Sequence, residues 1–172
     1  MNALDSITLW LCVFALFLIW LIYTRFRGAE YAPASFLNAE KMLEFASITD
    51  KDIVYELGSG LGGLTILASF KAKKAVGIEF DPIRCFLSKI RARIFGLKNI
   101  EFIRGDIFEE DISDANVVFL FLKQKTNQKL KSKLLKLKKG TRIISNIWTF
   151  EGWKPVKEDR ERKVYLYIIG KE

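Results

Sequence analysis

Four glycines stand close together in the segment Val54–Gly63, whose sequence is VYELGSGLGG. The apolar residues before them are typical of a β-strand, and the residues after them, LTILA, are typical of a helix. Glycine is needed where the backbone takes a positive φ or where a ligand approaches the main chain closely. A strand, a glycine turn and a helix in this order form the nucleotide-binding corner of an open α/β sheet. Such a corner can hold either a dinucleotide or S-adenosylmethionine.

The acidic residues around these glycines favour S-adenosylmethionine. Gly58, Gly60 and Gly63 fit the dinucleotide fingerprint, and Glu79 closes the next predicted strand as a ribose-binding acid would. Glu56, however, stands two residues before Gly58 and completes the pattern Glu-x-Gly-x-Gly-x-Gly, which is typical of methyltransferases. A carboxylate there can order the glycine loop and face the cationic amino-acid end of the cofactor, whereas it would repel a pyrophosphate.

Two further features of the chain favour the same cofactor. Asp106 follows the third predicted strand, where this fold places an acid beside the adenine amino group. A chain of 172 residues leaves too little sequence for the substrate domain of a dehydrogenase. Each acid also has a structural alternative, because Glu56 can cap the following helix and Asp106 can form a turn. The predicted cofactor-binding residues are Glu56, Gly58, Ser59, Gly60, Gly62, Glu79 and Asp106.

Alternating strand and helix patterns surround this corner and predict the elements that position it. Repeated β-α-β units of this kind form a parallel sheet covered by helices. Near the C-terminus, two short strand patterns flank a charged turn and predict an antiparallel hairpin. The sequence therefore predicts an α/β, Rossmann-like, seven-stranded, mostly parallel sheet with an antiparallel C-terminal hairpin. The predicted strands are 53–57, 75–79, 100–104, 117–122, 142–147, 153–157 and 164–169, and the predicted helices are 39–46, 63–70, 83–95 and 127–137.

The N-terminal run from Ile7 to Tyr23 contains no charged residue and predicts a transmembrane helix, because roughly 17 apolar residues are the lower limit for crossing a bilayer. Arg25 and Arg27 follow the run and no basic residue precedes it, so a single-pass membrane protein with its catalytic domain on the cytoplasmic side is expected. The predicted organisation is an anchor over residues 1–27, a linker over 28–38 and a methyltransferase domain over 39–172. The alternative is a buried helix that packs on the domain or in a dimer.

Composition excludes several chemistries. The chain contains no histidine, so histidine triads, histidine general bases and the commonest zinc ligand are absent, and no metal site is predicted. Its net charge is +8, and nine Lys or Arg residues but no acid occupy the stretch from Lys123 to Arg142. On a helix these cations suit an acidic protein partner or anionic lipid headgroups, or they form a solvated face. No aromatic residue lies among them, so nucleic acid is not expected as a partner.

Beyond the glycine loop, several short segments share a distinctive order of residues. They are Tyr55–Gly62, Val76–Pro82, Leu87–Arg93, Asp114–Val118, Lys129–Lys131, Leu137–Ser145 and Gly152–Pro155. Together they resemble the archaeal broad-specificity protein-lysine methyltransferases and their mitochondrial relatives, which act on the ATP synthase c-subunit and the adenine nucleotide translocase. The resemblance extends over essentially everything after about Tyr31. The chain departs from the family at Leu61, where an Asp is usual.

This resemblance implies a protein-lysine methyltransferase that uses S-adenosylmethionine and acts on proteins near the membrane. A lysine nucleophile must first lose a proton, since its ordinary pKa is about 10.4, and an apolar or aromatic channel favours the neutral amine. Two other hypotheses remain open: a small-molecule or lipid methyltransferase, and a non-catalytic S-adenosylmethionine-binding module. No catalytic residue is assigned. The candidate channel residues, which can equally be core or membrane-facing aromatics, are Tyr31, Phe36, Trp148, Phe150 and Trp153.

Overall fold

The computed structural model describes residues 8–15, 19 and 36–171. The chain divides into two compact units, Met1–Ala32 and Pro33–Glu172. The described residues of the first unit are helical. The second unit contains every strand that the structure describes, together with four helices, and it carries the glycine loop.

The predicted membrane anchor is corrected by the structure. Within the described residues, no helix is long and apolar enough to cross a membrane. Apart from residues 8–15 and Ile19, the run from Ile7 to Tyr23 lies outside the described residues. The prediction of a single-pass membrane protein with its catalytic domain on the cytoplasmic side is therefore contradicted.

One sheet of seven strands forms the centre of the second unit. Its strands are β1 (Ile53–Leu57), β2 (Lys74–Glu79), β3 (Ile100–Arg104), β4 (Val117–Leu120), β5 (Arg142–Asn146), β6 (Lys157–Asp159) and β7 (Val164–Ile168). Their order across the sheet is β3-β2-β1-β4-β5-β7-β6. The pairs from β3 to β5 are parallel, whereas β7 runs antiparallel to both β5 and β6. The predicted mostly parallel sheet with an antiparallel C-terminal hairpin is confirmed.

Four helices cover this sheet, and some of their bounds differ from the predicted ones. They are α1 (Phe36–Ala46), α2 (Gly63–Ser69), α3 (Pro82–Ile94) and α4 (Gln124–Leu134). α1 begins three residues before the predicted start, and α4 also begins three residues earlier, at Gln124 in place of Asn127. The first turn of α4 reads QKTN and contains no apolar residue, so hydrophobic periodicity gives no signal for it.

The hydrophobic core lies on both faces of the central strands. β4 is buried along its whole length, as expected of a parallel strand covered on two sides. Leu120 faces the cluster that contains Leu130 of α4, whereas Phe119 faces the cluster that contains Met42 of α1 and Leu64 of α2. The alternation along β4 therefore fixes α1 and α2 on one face of the sheet and α4 on the other.

The strand order places a crevice at the carboxyl ends of β1 and β4. Successive strands are added on one side of β1 as far as β3 and on its other side from β4 onward, and ligands bind at such a reversal in open α/β sheets. Leu57 at the end of β1 pairs with Leu120, which in turn pairs with Ser145 of β5. The glycine loop and the segments that follow β4 and β5 therefore share one edge of the sheet.

Candidate active site

The glycine loop joins β1 to α2 in a conformation that requires glycine. Gly58, Gly60 and Gly62 have φ values of 78°, 55° and 71°, in the left-handed region. The backbone N–H groups of Gly58 and Ser59 both donate to the Ile78 carbonyl of β2, at 2.9 and 3.0 Å. The loop therefore turns back across the end of β2 before α2 begins.

Gly62 is small because of a neighbouring side chain. A Cβ at this position would lie 2.4 Å from Cζ of Phe102 on β3, far inside van der Waals contact. A larger residue here would therefore displace the Phe102 ring. The contact joins the loop to β3, and no local sequence pattern reveals it.

Glu56 is buried on β1 and caps the first turn of α2. Its Oε2 accepts hydrogen bonds from the backbone N–H of Thr65, at 2.8 Å, and from Thr65 Oγ1. Burial raises the pKa of Glu56 to about 7; the bonds from Thr65 act to lower it, and the nearby Glu79 carboxylate raises it further. The structural role that the sequence left open is therefore present. A group with this pKa is also readily converted to the ionised form by a cationic ligand.

Glu79 ends β2 and holds the glycine loop with its carboxylate. Its Oε2 accepts from the backbone N–H of Gly60 at 2.7 Å, and its Oε1 accepts from that of Asp81 at 2.9 Å. Each carboxylate oxygen has two lone pairs, so one hydrogen bond to each leaves further acceptor capacity. The structure thus brings two predicted site residues, Glu79 and Gly60, into direct contact.

Two side chains of α3 hold the loop from the other direction. Ser88 Oγ shares its one hydrogen between the Gly60 carbonyl, at 3.1 Å, and the Arg84 carbonyl, at 2.9 Å, and Arg91 donates to the Leu61 carbonyl. Leu61, the position at which the family usually has Asp, thus contributes its backbone to loop anchoring. Neither Ser88 nor Arg91 was predicted as a site residue. Both lie within the segment Leu87–Arg93 that carried the family resemblance, which was the available signal.

Ser59 supplies an unpaired polar group within the loop. Its side chain is buried, and its Oγ has no hydrogen-bond partner among the described residues. Leaving such a group unpaired costs about 1–3 kcal/mol, so a ligand atom that pairs with it is favoured. The Ser59 hydroxyl, the remaining acceptor sites of Glu79 and the ionisable Glu56 fit S-adenosylmethionine, which presents ribose hydroxyls and a cationic amino-acid end.

Asp106 lies on the exposed turn after β3. Its Oδ1 accepts from the backbone N–H of Phe108 at 2.9 Å, which is the turn-forming role that the sequence allowed. Lys133 of α4 holds the same turn by donating from Nζ to the Ile107 carbonyl at 2.7 Å and to the Glu110 carbonyl. One of the nine cations between Lys123 and Arg142 therefore anchors the segment that presents Asp106.

The predicted channel aromatics have different surroundings. Phe150 is 2% exposed and packs in the core, 4.7 Å from Trp153 and 5.2 Å from Tyr167 between ring centroids. Trp148 is 42% exposed, just beyond β5. Tyr31 lies outside the described residues, as does the side chain of Phe36. Of these five residues, Trp148 alone combines described exposure with a place on the edge of the sheet that carries the loop.

A polar group lies buried under α4, and it was not predicted from the sequence. Asn127 is fully buried, and its Nδ2 donates to Ser145 Oγ at 3.0 Å. Asn127 shares the buried face of α4 with Leu130 and Leu134, so it occupies a position where periodicity calls for an apolar residue. That mismatch was the available signal.

Just beyond β5, Ile147 has a φ of 68°, an unusual and strained conformation for a β-branched residue.

Comparison with known proteins gives one family and several relatives. Residues 56–157 match the family model of the ANTKMT methyltransferase domain. A protein-lysine N-methyltransferase of Saccharolobus islandicus is 41% identical over 152 residues, which cover 81% of this chain and 93% of that protein. An RNA methyltransferase from Salinibacter ruber, solved in complex with S-adenosyl-L-homocysteine, superposes with a TM-score of 0.78 at 36% identity and covers 82% of this chain and 95% of that one. A dimethyladenosine transferase from Plasmodium falciparum superposes with a TM-score of 0.62 at 26% identity, covering 71% of this chain and 44% of that one.

Proposed function

Because this chain belongs to the ANTKMT methyltransferase domain family and uses S-adenosylmethionine, we propose that it transfers methyl groups to lysine side chains of proteins. One observation carries the choice of acceptor. The Saccharolobus islandicus relative, which shares 41% identity over 93% of its own length, is named a protein-lysine N-methyltransferase. The family resemblance seen in the sequence points to the same acceptor.

We propose that the cofactor lies along the carboxyl ends of β1, β2 and β3. Glu79 would accept hydrogen bonds from the ribose hydroxyls, since each of its oxygens retains a lone pair. Glu56 and the glycine loop would receive the amino-acid end, and Asp106 would lie beside adenine. Gly58, Ser59, Gly60 and Gly62 complete this proposed set.

When bound, S-adenosylmethionine supplies a methyl group on a positively charged sulfur, and the chain mainly aligns and desolvates the reacting atoms. The nitrogen lone pair forms the new N–C bond while the S–C bond breaks and its electron pair stays on sulfur. The acceptor must arrive as a neutral amine.

A transfer assay with the full chain tests this proposal. The protein is incubated with S-adenosylmethionine that carries a labelled methyl group and with a cell extract, and label is measured separately in protein, RNA and lipid fractions. Label on protein that is recovered as methyl-lysine after hydrolysis is the expected result. Cofactor binding without label in any protein fraction would contradict lysine as the acceptor.

RNA is the second candidate acceptor, because the Salinibacter ruber relative is named an RNA methyltransferase. The net charge of +8 would suit a polyanion as well as an acidic protein surface. Label that is recovered in RNA and removed by ribonuclease would favour this candidate over lysine. Label in solvent-extracted lipid would favour a lipid acceptor, which the sequence also left open.

Paired glutamate variants test the cofactor site separately from the acceptor. Glu79→Gln places an amide nitrogen against a backbone N–H, so we expect cofactor affinity, measured by calorimetry, to fall about 10-fold to 100-fold. The matched control is Glu101→Gln on β3, where the exposed Glu101 pairs with Lys74 at 2.8 Å. Equal affinity in the two variants would remove Glu79 from the proposed site.

A further inference from the structure

Unpaired oxygen atoms on the first turn of α4 form a feature that the cofactor site does not use. Among the described residues, four buried side-chain polar atoms have no hydrogen-bond partner, and two of them are the amide oxygens of Gln124 and Asn127. These residues are three positions apart, so their side chains lie on the same side of the helix. Two unpaired acceptors on one side of the helix suit a ligand that donates twice.

The orientation of the Asn127 amide is fixed by its surroundings. Its Nδ2 donates to Ser145 Oγ at 3.0 Å, and Ser145 Oγ donates in turn to the Trp148 carbonyl at 2.5 Å. The reverse orientation would place the amide oxygen where Ser145 has no hydrogen left to donate. The Asn127 side chain is fully buried, and its Oδ1 therefore remains unpaired on the side away from Ser145.

These oxygens lie on the edge of the sheet that carries the glycine loop. Leu122, two residues before α4, has its Cδ2 only 2.8 Å from the place where a Cβ on Gly58 would stand. Ser145, the partner of Asn127, pairs with Leu120, which pairs with Leu57 at the start of the loop. The first turn of α4 is therefore next to the loop in the direction away from β2 and the proposed ribose contacts.

We propose that Gln124 and Asn127 bind the methyl-accepting nitrogen through its two N–H groups, a conclusion that rests on the proposed lysine substrate. A neutral primary amine has two N–H groups and one lone pair. When both N–H groups donate to the two amide oxygens, the lone pair is left to attack the methyl carbon. The N–C bond then forms, the electron pair of the S–C bond stays on sulfur, and one N–H proton leaves to solvent.

The chemical type of the two acceptors suits this role. A carboxylate would stabilise the ammonium form of lysine, which has no lone pair to react, whereas an amide oxygen carries no charge. The N-terminal end of α4 also has a positive potential, and this further disfavours an ammonium ion. The two residues are positioning residues that orient the nitrogen, and the methyl donor needs no contact with them.

The number of N–H groups on the acceptor provides the test. A synthetic peptide with one lysine between glutamates is prepared with that lysine unmodified, monomethylated and dimethylated, so that its nitrogen carries two, one or no N–H groups. The variants are Gln124→Met and Asn127→Leu, which remove one acceptor each. The control is Gln128→Met, which removes an amide of α4 that is already bonded to the backbone of Thr149 and Glu151. We expect the variants to lower kcat about 10-fold to 100-fold on the unmodified peptide and hardly at all on the dimethylated one. Gln124→Glu should not recover this loss, although it keeps an acceptor oxygen, because its carboxylate would favour the ammonium form of the lysine.

A loss that is equal on all three peptides would show a merely structural role and would overturn the inference. A binding measurement keeps this failure distinct from failure of the proposed function. Binding of n-butylamine, in the presence of S-adenosylhomocysteine, is followed by NMR for the parent chain and each variant. Should the parent chain methylate none of the peptides, the lysine proposal fails. Weaker butylamine binding in Gln124→Met and Asn127→Leu than in Gln128→Met would still support the amine site, and equal binding would reject it.

Discussion

Replacing Glu56 by Gln separates the structural role of this residue from its proposed role with the cofactor. Glutamine has the same shape and an amide oxygen that can accept from Thr65, so the cap on α2 can be retained. What is lost is the ability to ionise. The consequence for stability follows from the pKa of Glu56, which burial raises from 4.5 to about 7.

The magnitude of this effect follows from the linkage between proton binding and folding. In the unfolded chain Glu56 ionises near its ordinary value, whereas in the folded chain it keeps its proton until about pH 7. The free energy of unfolding therefore falls as the pH rises between these two values, by at most roughly 3 kcal/mol, and changes little through this group above pH 7. Glu56→Gln removes this cost, so we expect the variant to match the parent near pH 4.5 and to exceed it at pH 8.

Urea unfolding from pH 4.5 to pH 8 measures the difference, with Glu101→Gln as a control for the loss of a surface carboxylate. S-adenosylhomocysteine is then added at pH 8. If the cationic amino-acid end of the ligand contacts Glu56, the variant should bind S-adenosylhomocysteine more weakly than the parent does, although the variant's fold is more stable. A variant that is less stable than the parent at pH 8 would refute the reasoning, because it would show that the ionised carboxylate stabilises α2 by more than its burial costs.

Three further substitutions probe the loop, the ion pair and the strained residue. Gly62→Ala should lower the free energy of unfolding by about 3 kcal/mol in urea titrations, because of its φ and its contact with Phe102, and Phe102→Leu in the same chain should recover the contact part. Burial favours a higher pKa for Asp52, yet hydrogen bonds from Thr49 and Arg142 hold it below its ordinary value of 3.8. Asp52→Asn should therefore cost about 1 kcal/mol at pH 7, a difference that shrinks in thermal melts below pH 4 as the parent's carboxylate takes up a proton. Ile147→Asn should raise the midpoint of thermal unfolding through a gain of about 1 kcal/mol, because Asn tolerates the left-handed region better.

The strands and the position of the loop could be predicted because each depends on a local pattern. The apolar run of β4 and the glycines after β1 carry their signal within a few neighbouring residues. The family resemblance was confirmed, since it rested on segments spread along the chain. The predicted membrane span was contradicted, since no helix among the described residues is long and apolar enough to cross a membrane.

The contacts that build the site could not be predicted, because they join residues that are distant in sequence. Nothing near Gly62 shows that Phe102 fills the space beside it, and nothing near Gly60 shows that Ser88 binds its carbonyl. The start of α4 was missed for a different reason. Its first turn is polar, so the helix was predicted to begin only at Asn127, which was not recognised as one of its buried residues.

The glycine loop combines flexible residues with firm anchoring, and the combination has a consequence for binding. Glycine loses more conformational freedom on ordering than any other residue, and fixing one residue costs about 1–2 kcal/mol. In this fold Glu79, Ser88 and Arg91 hold the loop from β2 and α3, so much of that cost is met during folding. Cofactor binding then requires less further ordering of the backbone of the glycine loop. Affinity should accordingly depend on α3 side chains that have no contact with the cofactor, as well as on the loop itself.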